Sequence, residues 1–470
     1  MSNEAPAAPE APVSTSSRLS AGTIARYATG SLGTGGFATL PGLVLTYYLT
    51  DSLGVAALAA GAVITIAKVW DVIIDPVIGT LTDRDLARRG SRRRLMLIGA
   101  CALPVLFALT FAVPPALGPL AAGIWVLLAF TLTATAFSLF QVPYIALPAE
   151  LTPRYDERTR LLTWRVVVLT LAILLFGAGG PALRRVSDDP VVGYLVMGIV
   201  CGLAIGIGML VSTTVAKRTA PAPVAAVADP GAEKTGIREH YAAGIRALRR
   251  SRPFRLLLAT FVLQALATGL MLAGAQYVAT WVLHSEAAVE LLFVALIAPA
   301  LLAAPGWGAI ARRIGKERTF AIASAVFGVA ALTILGVLWV PGDWIYVPVG
   351  IAGIAYAGMQ SLPMAMLPDV ISHDERTHPS AASGAGRAGA FSGVWTAGET
   401  VGFALGATTL SLILALTGYV SRAAGQVVEQ PDAAVTGIVV SFSLAPAALI
   451  ALSLVTLTRY PLRRADIDAS

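Results

Sequence analysis

Twelve stretches of roughly 20 predominantly apolar residues recur along this chain, each long enough to cross a bilayer as a helix. They lie near residues 22–50, 55–82, 95–114, 120–147, 161–183, 190–213, 253–281, 286–310, 318–340, 343–367, 387–418 and 433–458, and are numbered spans 1 to 12. Only 13% of the residues are charged, against the ~25% usual in soluble domains. With 56% hydrophobic residues and a mean hydropathy of +0.75, the chain reads as an all-α, multi-pass membrane protein.

The formal charge of +7 does not point to nucleic acid, because the arginines cluster in short loops between the spans. One set of loops holds Arg84, Arg88, Arg89, Arg92, Arg93 and Arg94, then Arg154, Arg158 and Arg160, then Lys217 to Arg252, then Arg312, Arg313 and Lys316. The alternate set is short and neutral or acidic, with Asp51, Glu286, Asp343, Glu429 and Asp432. By the positive-inside rule both termini and the basic loops are cytoplasmic, which predicts a multi-pass protein of the cytoplasmic (inner) membrane. Arg184 and Arg185, beside Asp188 and Asp189, fall on the wrong side. Cys101 and Cys201 lie in apolar spans, too few and too deep for a disulfide framework or a metal site. The residues before span 1 lack the pattern of a cleaved signal peptide, so span 1 is expected to direct insertion.

The organisation expected is a disordered tail over 1–20, a six-helix bundle over 21–213, a cytoplasmic linker over 214–252, a second six-helix bundle over 253–458, and a cytoplasmic tail over 459–470. The linker turns basic towards its end and suits an amphipathic helix on the membrane surface. The two halves echo each other. Gln141-Val142-Pro143-Tyr144-Ile145-Ala146-Leu147-Pro148 in span 4 matches Ser361-Leu362-Pro363-Met364-Ala365-Met366-Leu367-Pro368 in span 10. Each is followed by Asp-Glu-Arg-Thr, at 156–159 and again at 374–377. Pro76 and Gly79 before Asp83-Arg84 are matched by Pro305 and Gly308 before Arg312-Arg313. Two six-span repeats with matched inner loops are the signature of a two-bundle transporter.

Span 2 carries the sharpest chemistry. Asp71 and Asp75 are four residues apart, just over one turn, so they share a helix face inside an apolar run. A carboxylate in hydrocarbon costs kilocalories, so both must face an interior, a cavity or a cation. Either they bind a coupling ion, Na⁺ or H⁺, or they form tertiary salt bridges, with Lys68 one turn earlier as the nearest partner. No other metal site is expected. In span 4, Ser138 and Gln141 offer neutral oxygens to a cation shared with span 2, or pack helices together through hydrogen bonds. Tyr144 either stacks on a sugar or fills core. In span 11, Glu399 with Trp395 one turn earlier suits a polyol or sugar. A proton relay and a structural pair with Arg165 or Arg387 are the other readings of Glu399. Asp83, Arg84 and Arg93 after span 2, Asp156, Glu157 and Arg158 after span 4, and Asp374, Glu375 and Arg376 after span 10 carry both signs. They are either solvated faces or salt bridges that close a cytoplasmic gate in one state and break in another. HExxH, GxSxG and P-loop motifs are missing, so no enzyme is expected and energy must come from a gradient.

At these residues the chain resembles the glycoside-pentoside-hexuronide:cation symporter family (melibiose permease-like) of the major facilitator superfamily. The likeness covers about residues 25–420. It rests on Trp70-Asp71-Val72-Ile73-Ile74-Asp75-Pro76-Val77-Ile78-Gly79 with the following Asp83-Arg84, Gly90 and Arg93, and on Tyr27, Gly30, Gly33 and Tyr47-Tyr48-Leu49-Thr50-Asp51. Val142 to Leu147, Glu157 to Leu161 with Arg165, and Leu367-Pro368-Asp369-Val370-Ile371 add to it. The resemblance implies twelve transmembrane helices in two six-helix bundles, the major facilitator fold, with alternating access. It implies that Asp71 and Asp75 bind the cation with Ser138 and Gln141, and that Tyr144, Arg165, Trp395, Thr396 and Glu399 line the substrate cavity. It also shows departures: the family's span 1 acid aligns with Gly35, its span 4 acid with Gln141, and its span 11 lysine with Thr400. The expectation is therefore a secondary active transporter, coupling Na⁺ or H⁺ to a sugar, glycoside or sugar derivative. Its partners would be that small molecule and membrane lipids, and the protein would be a monomer without cofactors. A transporter of a lysolipid on the same fold, or a non-transporting sensor or scaffold, are the alternatives.

Overall fold

The computed structural model describes residues 18–152, 154–216, 245–246, 248–377 and 384–462. Most of the expected N-terminal tail, the linker with its amphipathic helix, and the end of the C-terminal tail lie outside the described residues. Regular structure among the described residues is helical, apart from an isolated β-bridge between Leu53 and Ala423. Helices satisfy their own backbone groups, which is what apolar runs in lipid must do.

Span 1 is two helices, Ala21–Ala28 and Ser31–Asp51. Spans 2 to 6 are Ala57–Arg89, Arg93–Phe111, Pro119–Leu151, Tyr155–Arg184 and Pro190–Thr213. Span 7 is Arg252–Tyr277 with a π-helical turn Val278–Val282. Spans 8 to 11 are Ala288–Ile314, Lys316–Ile334, Tyr346–Thr377 and Gly384–Leu416. Span 12 is Asp432–Phe442 and Leu444–Thr458, interrupted at Ser443. Eleven of the spans are long and apolar enough to cross a membrane by themselves, and span 1 is the one that falls short. Its glycines, threonines and tyrosines dilute its hydropathy because it is buried on nearly every side. Several helices outrun the apolar stretches. Span 2 continues through Asp83-Arg84 to a left-handed cap at Gly90, because charged helix formers keep the helix going past the hydrocarbon.

The repeat is visible in the packing. In the first half span 1 packs on spans 5 and 6, span 2 on span 4, and span 3 on spans 4 and 6. In the second half span 7 packs on spans 11 and 12, span 8 on span 10, and span 9 on spans 10 and 12. Each pair in one half has its counterpart six spans later. Between the halves, span 2 meets span 11, span 5 meets span 8, and span 1 meets span 7. Without a hydrophobic drive between helices in lipid, such contacts depend on close approach at small residues.

Gly35 is the clearest case. A Cβ there would stand 2.8 Å from the Ala172 Cβ and 3.0 Å from the Leu169 carbonyl oxygen on span 5. The position that aligns with the family's span 1 acid thus has no room for a side chain. Gly35→Val should lower stability by about 1–3 kcal/mol, read as a drop in the melting temperature of detergent-solubilised protein. Gly179→Val, at a position with no atom within 4 Å, should leave that temperature nearly unchanged.

Candidate functional site

Asp71 and Asp75 share a face of span 2 about the middle of the helix. The end of the molecule with the arginine-rich loops is here named the basic end. Asp71 Oδ2 lies 3.1 Å from Lys68 Nζ, an ion pair within the helix. Asp71 Oδ1 and Asp75 Oδ1 are buried and have no hydrogen-bond partner. Asp75 neighbours Ser138 on span 4, with Asp71 and Lys68 as the charges acting on it. The Lys68 ammonium also sits 5.5 Å from the Phe37 ring of span 1 and 5.9 Å from the Phe130 ring of span 4. Gln141 turns the other way, its Oε1 accepting a 2.8 Å hydrogen bond from Thr34 on span 1. Spans 1, 2 and 4 thereby bring two carboxylates, an ammonium and a serine hydroxyl together.

The residues expected around the substrate fall into two groups. Tyr144 is fully buried, stacked on Tyr27 at 4.7 Å and on Phe140 at 5.2 Å. Its hydroxyl donates to the Tyr27 carbonyl and receives a hydrogen bond from Ser31. In this conformation it is packed in the core and offers no surface to a cavity. It supports Arg165 instead, whose guanidinium lies over the ring at 5.3 Å and whose Nε is buried without a partner. On span 11, Trp395 is buried and stacked on Phe261 at 4.3 Å, its indole Nε1 unpartnered, while Thr396 is exposed. Glu399 is half-buried and has no ion-pair partner among the described residues. It faces Tyr356 of span 10, whose hydroxyl accepts from Gln360. Tyr356, Gln360, Gln264 and Thr268 edge a recess of ≈ 10 Å³, room for about one water.

The far end of the molecule, opposite the basic loops, is shut by a network that joins the bundles. Asp51, at the end of span 1, accepts hydrogen bonds from Tyr419 at 2.7 Å and Thr50 at 2.7 Å, and pairs with Arg422 Nε at 3.2 Å. Arg422 stacks over Trp281 at 4.8 Å, and its backbone N–H donates to the Thr50 carbonyl. Tyr277 donates to Thr50 at 2.7 Å. The Leu53–Ala423 bridge adds main-chain pairing beside Gly54, whose φ of +66° makes the tight turn into span 2. Arg184 is buried between Tyr47 and Tyr194 and pairs with Glu286 at 3.2 Å, while Arg185 pairs with Glu290. Thr65 of span 2 meets Thr408 of span 11 in the same half.

Sequence reasoning put the gating ion pairs at the other end. There, Arg92 pairs with Asp83 at 2.8 Å and with Glu150, all in the first bundle. Lys316 pairs with Asp369 at 2.6 Å within the second, and Arg250, at the end of the expected linker, pairs with Asp374 of span 10. Glu157 is buried, accepting from the Leu19 N–H, and lies 3.8 Å from Arg160. Arg158 donates to the Thr152 carbonyl, Glu375 is half-buried, and Arg84, Arg93, Asp156 and Arg376 are exposed. The Arg92 and Lys316 pairs stay within a bundle here, and ion pairs that do cross between bundles among the described residues involve Asp51, Arg184, Arg185 and Arg422. The signal for them was present in the sequence as the two arginines that broke the positive-inside pattern.

Residues 26–464 match the MFS/sugar transport protein family. The chain belongs to this family, the one that the span 2 motif resembled. Among its relatives is the glucuronide carrier protein homolog of Escherichia coli, 26% identical over 95% of this chain and 93% of that one. Another is the sodium-dependent lysophosphatidylcholine symporter 1 of Xenopus tropicalis, 24% identical over 90% of this chain and 83% of that one. The solved nucleoside transporter NupG shares the fold at a TM-score of 0.63 and 12% identity, over 94% of this chain and all (100%) of that one. As a member of the MFS/sugar transport protein family, the chain is a multi-pass membrane transporter with the twelve-helix major facilitator fold.

Removing one partner of a buried ion pair leaves an uncompensated charge worth about 3–5 kcal/mol. Arg422→Ala should therefore loosen the far end. In a background lacking Cys101 and Cys201, a cysteine replacing the buried Thr46 should react several-fold faster with a membrane-impermeant thiol reagent once Arg422 is lost. An unchanged rate would mean that the network does not hold this end shut.

Proposed function

We propose that this protein is a cation-coupled symporter that moves a sugar or sugar derivative across the cytoplasmic membrane by alternating access. The observation that supports this most is span 2, where two carboxylates in a membrane span each keep a buried oxygen without a partner. In a sugar transport family, such a pair suits a Na⁺ or H⁺ that enters with the substrate. Asp71 and Asp75 take the cation, Ser138 assists, and Gln141 joins when Thr34 releases it. Residues 21–213 and 253–458 act as the two rocking bodies, joined through 214–252. With the basic loops inside, the far-end network is the outer gate and the conformation is the one that faces the cytoplasm. Cation and substrate must each favour binding of the other, since coupling free energy is reciprocal.

The substrate cavity uses Arg165, Trp395, Thr396 and Glu399, with Tyr144 holding Arg165 from behind. The Arg165 Nε, buried and without an acceptor, suits a sugar carboxylate, and the unpaired Glu399 suits hydroxyls. The glucuronide carrier relative favours the same sugar-acid class. A second reading, an amphipathic lysolipid, is favoured by the lysophosphatidylcholine symporter relative and by exposed Val69 and Ile73 flanking the acids on span 2.

Uptake into proteoliposomes, with hexuronates, glycosides and lysolipids offered under imposed Na⁺ or H⁺ gradients, separates these readings. Asp75→Asn should cut gradient-driven accumulation at least about tenfold, and full accumulation by that variant would remove the cation assignment. Glu399→Gln should raise the half-saturating substrate concentration several-fold and leave the ion dependence alone. A change in ion dependence instead would make Glu399 part of the coupling path.

A further inference from the structure

We propose that Lys68 is a tethered counter-cation, which occupies one arm of the span 2 site when the coupling ion is absent and so tunes the site to a single monovalent metal ion. This rests on the reading of Asp71 and Asp75 as the cation site. Lys68 precedes Asp71 by three residues on the same helix face, and its ammonium is 3.1 Å from Asp71 Oδ2. The contact leaves Asp71 Oδ1 and Asp75 Oδ1 as the two open, buried oxygens. The charged side chains acting on Asp75 are Asp71 and Lys68. Two carboxylates and one ammonium sum to one negative charge, so one Na⁺ or Li⁺ neutralises the site and a divalent ion overshoots. In a low-dielectric interior that imbalance is strongly disfavoured.

The structure also gives Lys68 somewhere to go. Its ammonium already lies within cation–π range of Phe37 on span 1 and Phe130 on span 4. An ion arriving at Asp71 can push the ammonium onto these rings. When the ion leaves, the ammonium returns to Asp71. The empty carrier therefore never holds two bare carboxylates, and the internal ammonium competes against metal ion throughout the cycle. Unlike a fixed structural salt bridge, this competition makes the wild-type site weaker than its two acids alone would be.

The test is equilibrium binding of Na⁺ and Li⁺ to detergent-solubilised full-length protein, by isothermal titration calorimetry. Lys68→Met keeps an unbranched apolar side chain against Phe37 and Phe130 while removing the charge. It should bind whichever ion the wild type binds about tenfold or more tightly, and proteoliposome uptake should accumulate less substrate because release is slowed. Lys68→Arg should bind close to wild type. Binding by Lys68→Met that is unchanged or weaker, in protein whose elution profile and melting temperature match the wild type, overturns the proposal. Asp75→Asn separates the two readings. If it abolishes binding while Lys68→Met fails to tighten it, only the role of Lys68 falls. If Asp75→Asn binds as the wild type does, or the wild type binds neither ion, the metal-cation site falls and Lys68 has nothing to compete with.

Discussion

The carboxylate of Asp51 is the point on which the two halves of this transporter close. It is buried at the end of span 1, and every group it touches outside its own helix comes from the other bundle: Tyr419 through its hydroxyl, Arg422 through its guanidinium. A charge in that position is tolerable only while those donors stay in place. Thr50, Tyr277 and Trp281 extend the same network, so the cost of separating the bundles here is shared among several hydrogen bonds and one ion pair. A gate built this way holds as a unit and opens as a unit. At the basic end, the described pairs of Arg92 and of Lys316 each stay within one bundle.

Most of the fold was legible because hydrophobic runs of membrane length admit so few structures. The repeat of Pro143 and Pro148 in Pro363 and Pro368 announced that spans 4 and 10 play equivalent parts, and the helix neighbours repeat in the same way. Span 1 was read as one of the twelve apolar stretches, although its helix falls short of the hydropathy of a membrane helix by itself. Its glycines read as weak helix formers in a sequence. In three dimensions Gly35 is where span 5 comes into backbone contact, a relation no local pattern encodes.

The site was legible in part. The spacing of Asp71 and Asp75 is a local property, and so is the reach of Lys68 to Asp71. What needed the structure was the destination of side chains between helices. Gln141 is engaged by Thr34, and Tyr144 is spent on Ser31 and the Tyr27 carbonyl. Gating ion pairs at the basic end were expected to close in one state and break in another. In this structure inter-bundle pairs among the described residues, those of Asp51, Arg184 and Arg185, lie at the far end instead. Arg184 and Arg185 stood out as charges on a side that should have been poor in them. A positive charge that violates topology needs a partner, and Glu286 and Glu290 supply it.

The placement of that closure at one extreme of the molecule has a mechanical consequence. Span 2 runs for 33 residues, which at 1.5 Å per residue makes it about 50 Å long. A bundle pivoting near the Leu53–Ala423 bridge through only about 10° would swing the other end of such a helix by about 9 Å. In such a motion the turn at Gly54, with its φ of +66°, would be the fulcrum. By this leverage a small angular change near one surface would become a wide aperture at the other, where Arg92 and Lys316 tie neighbouring helices of each bundle.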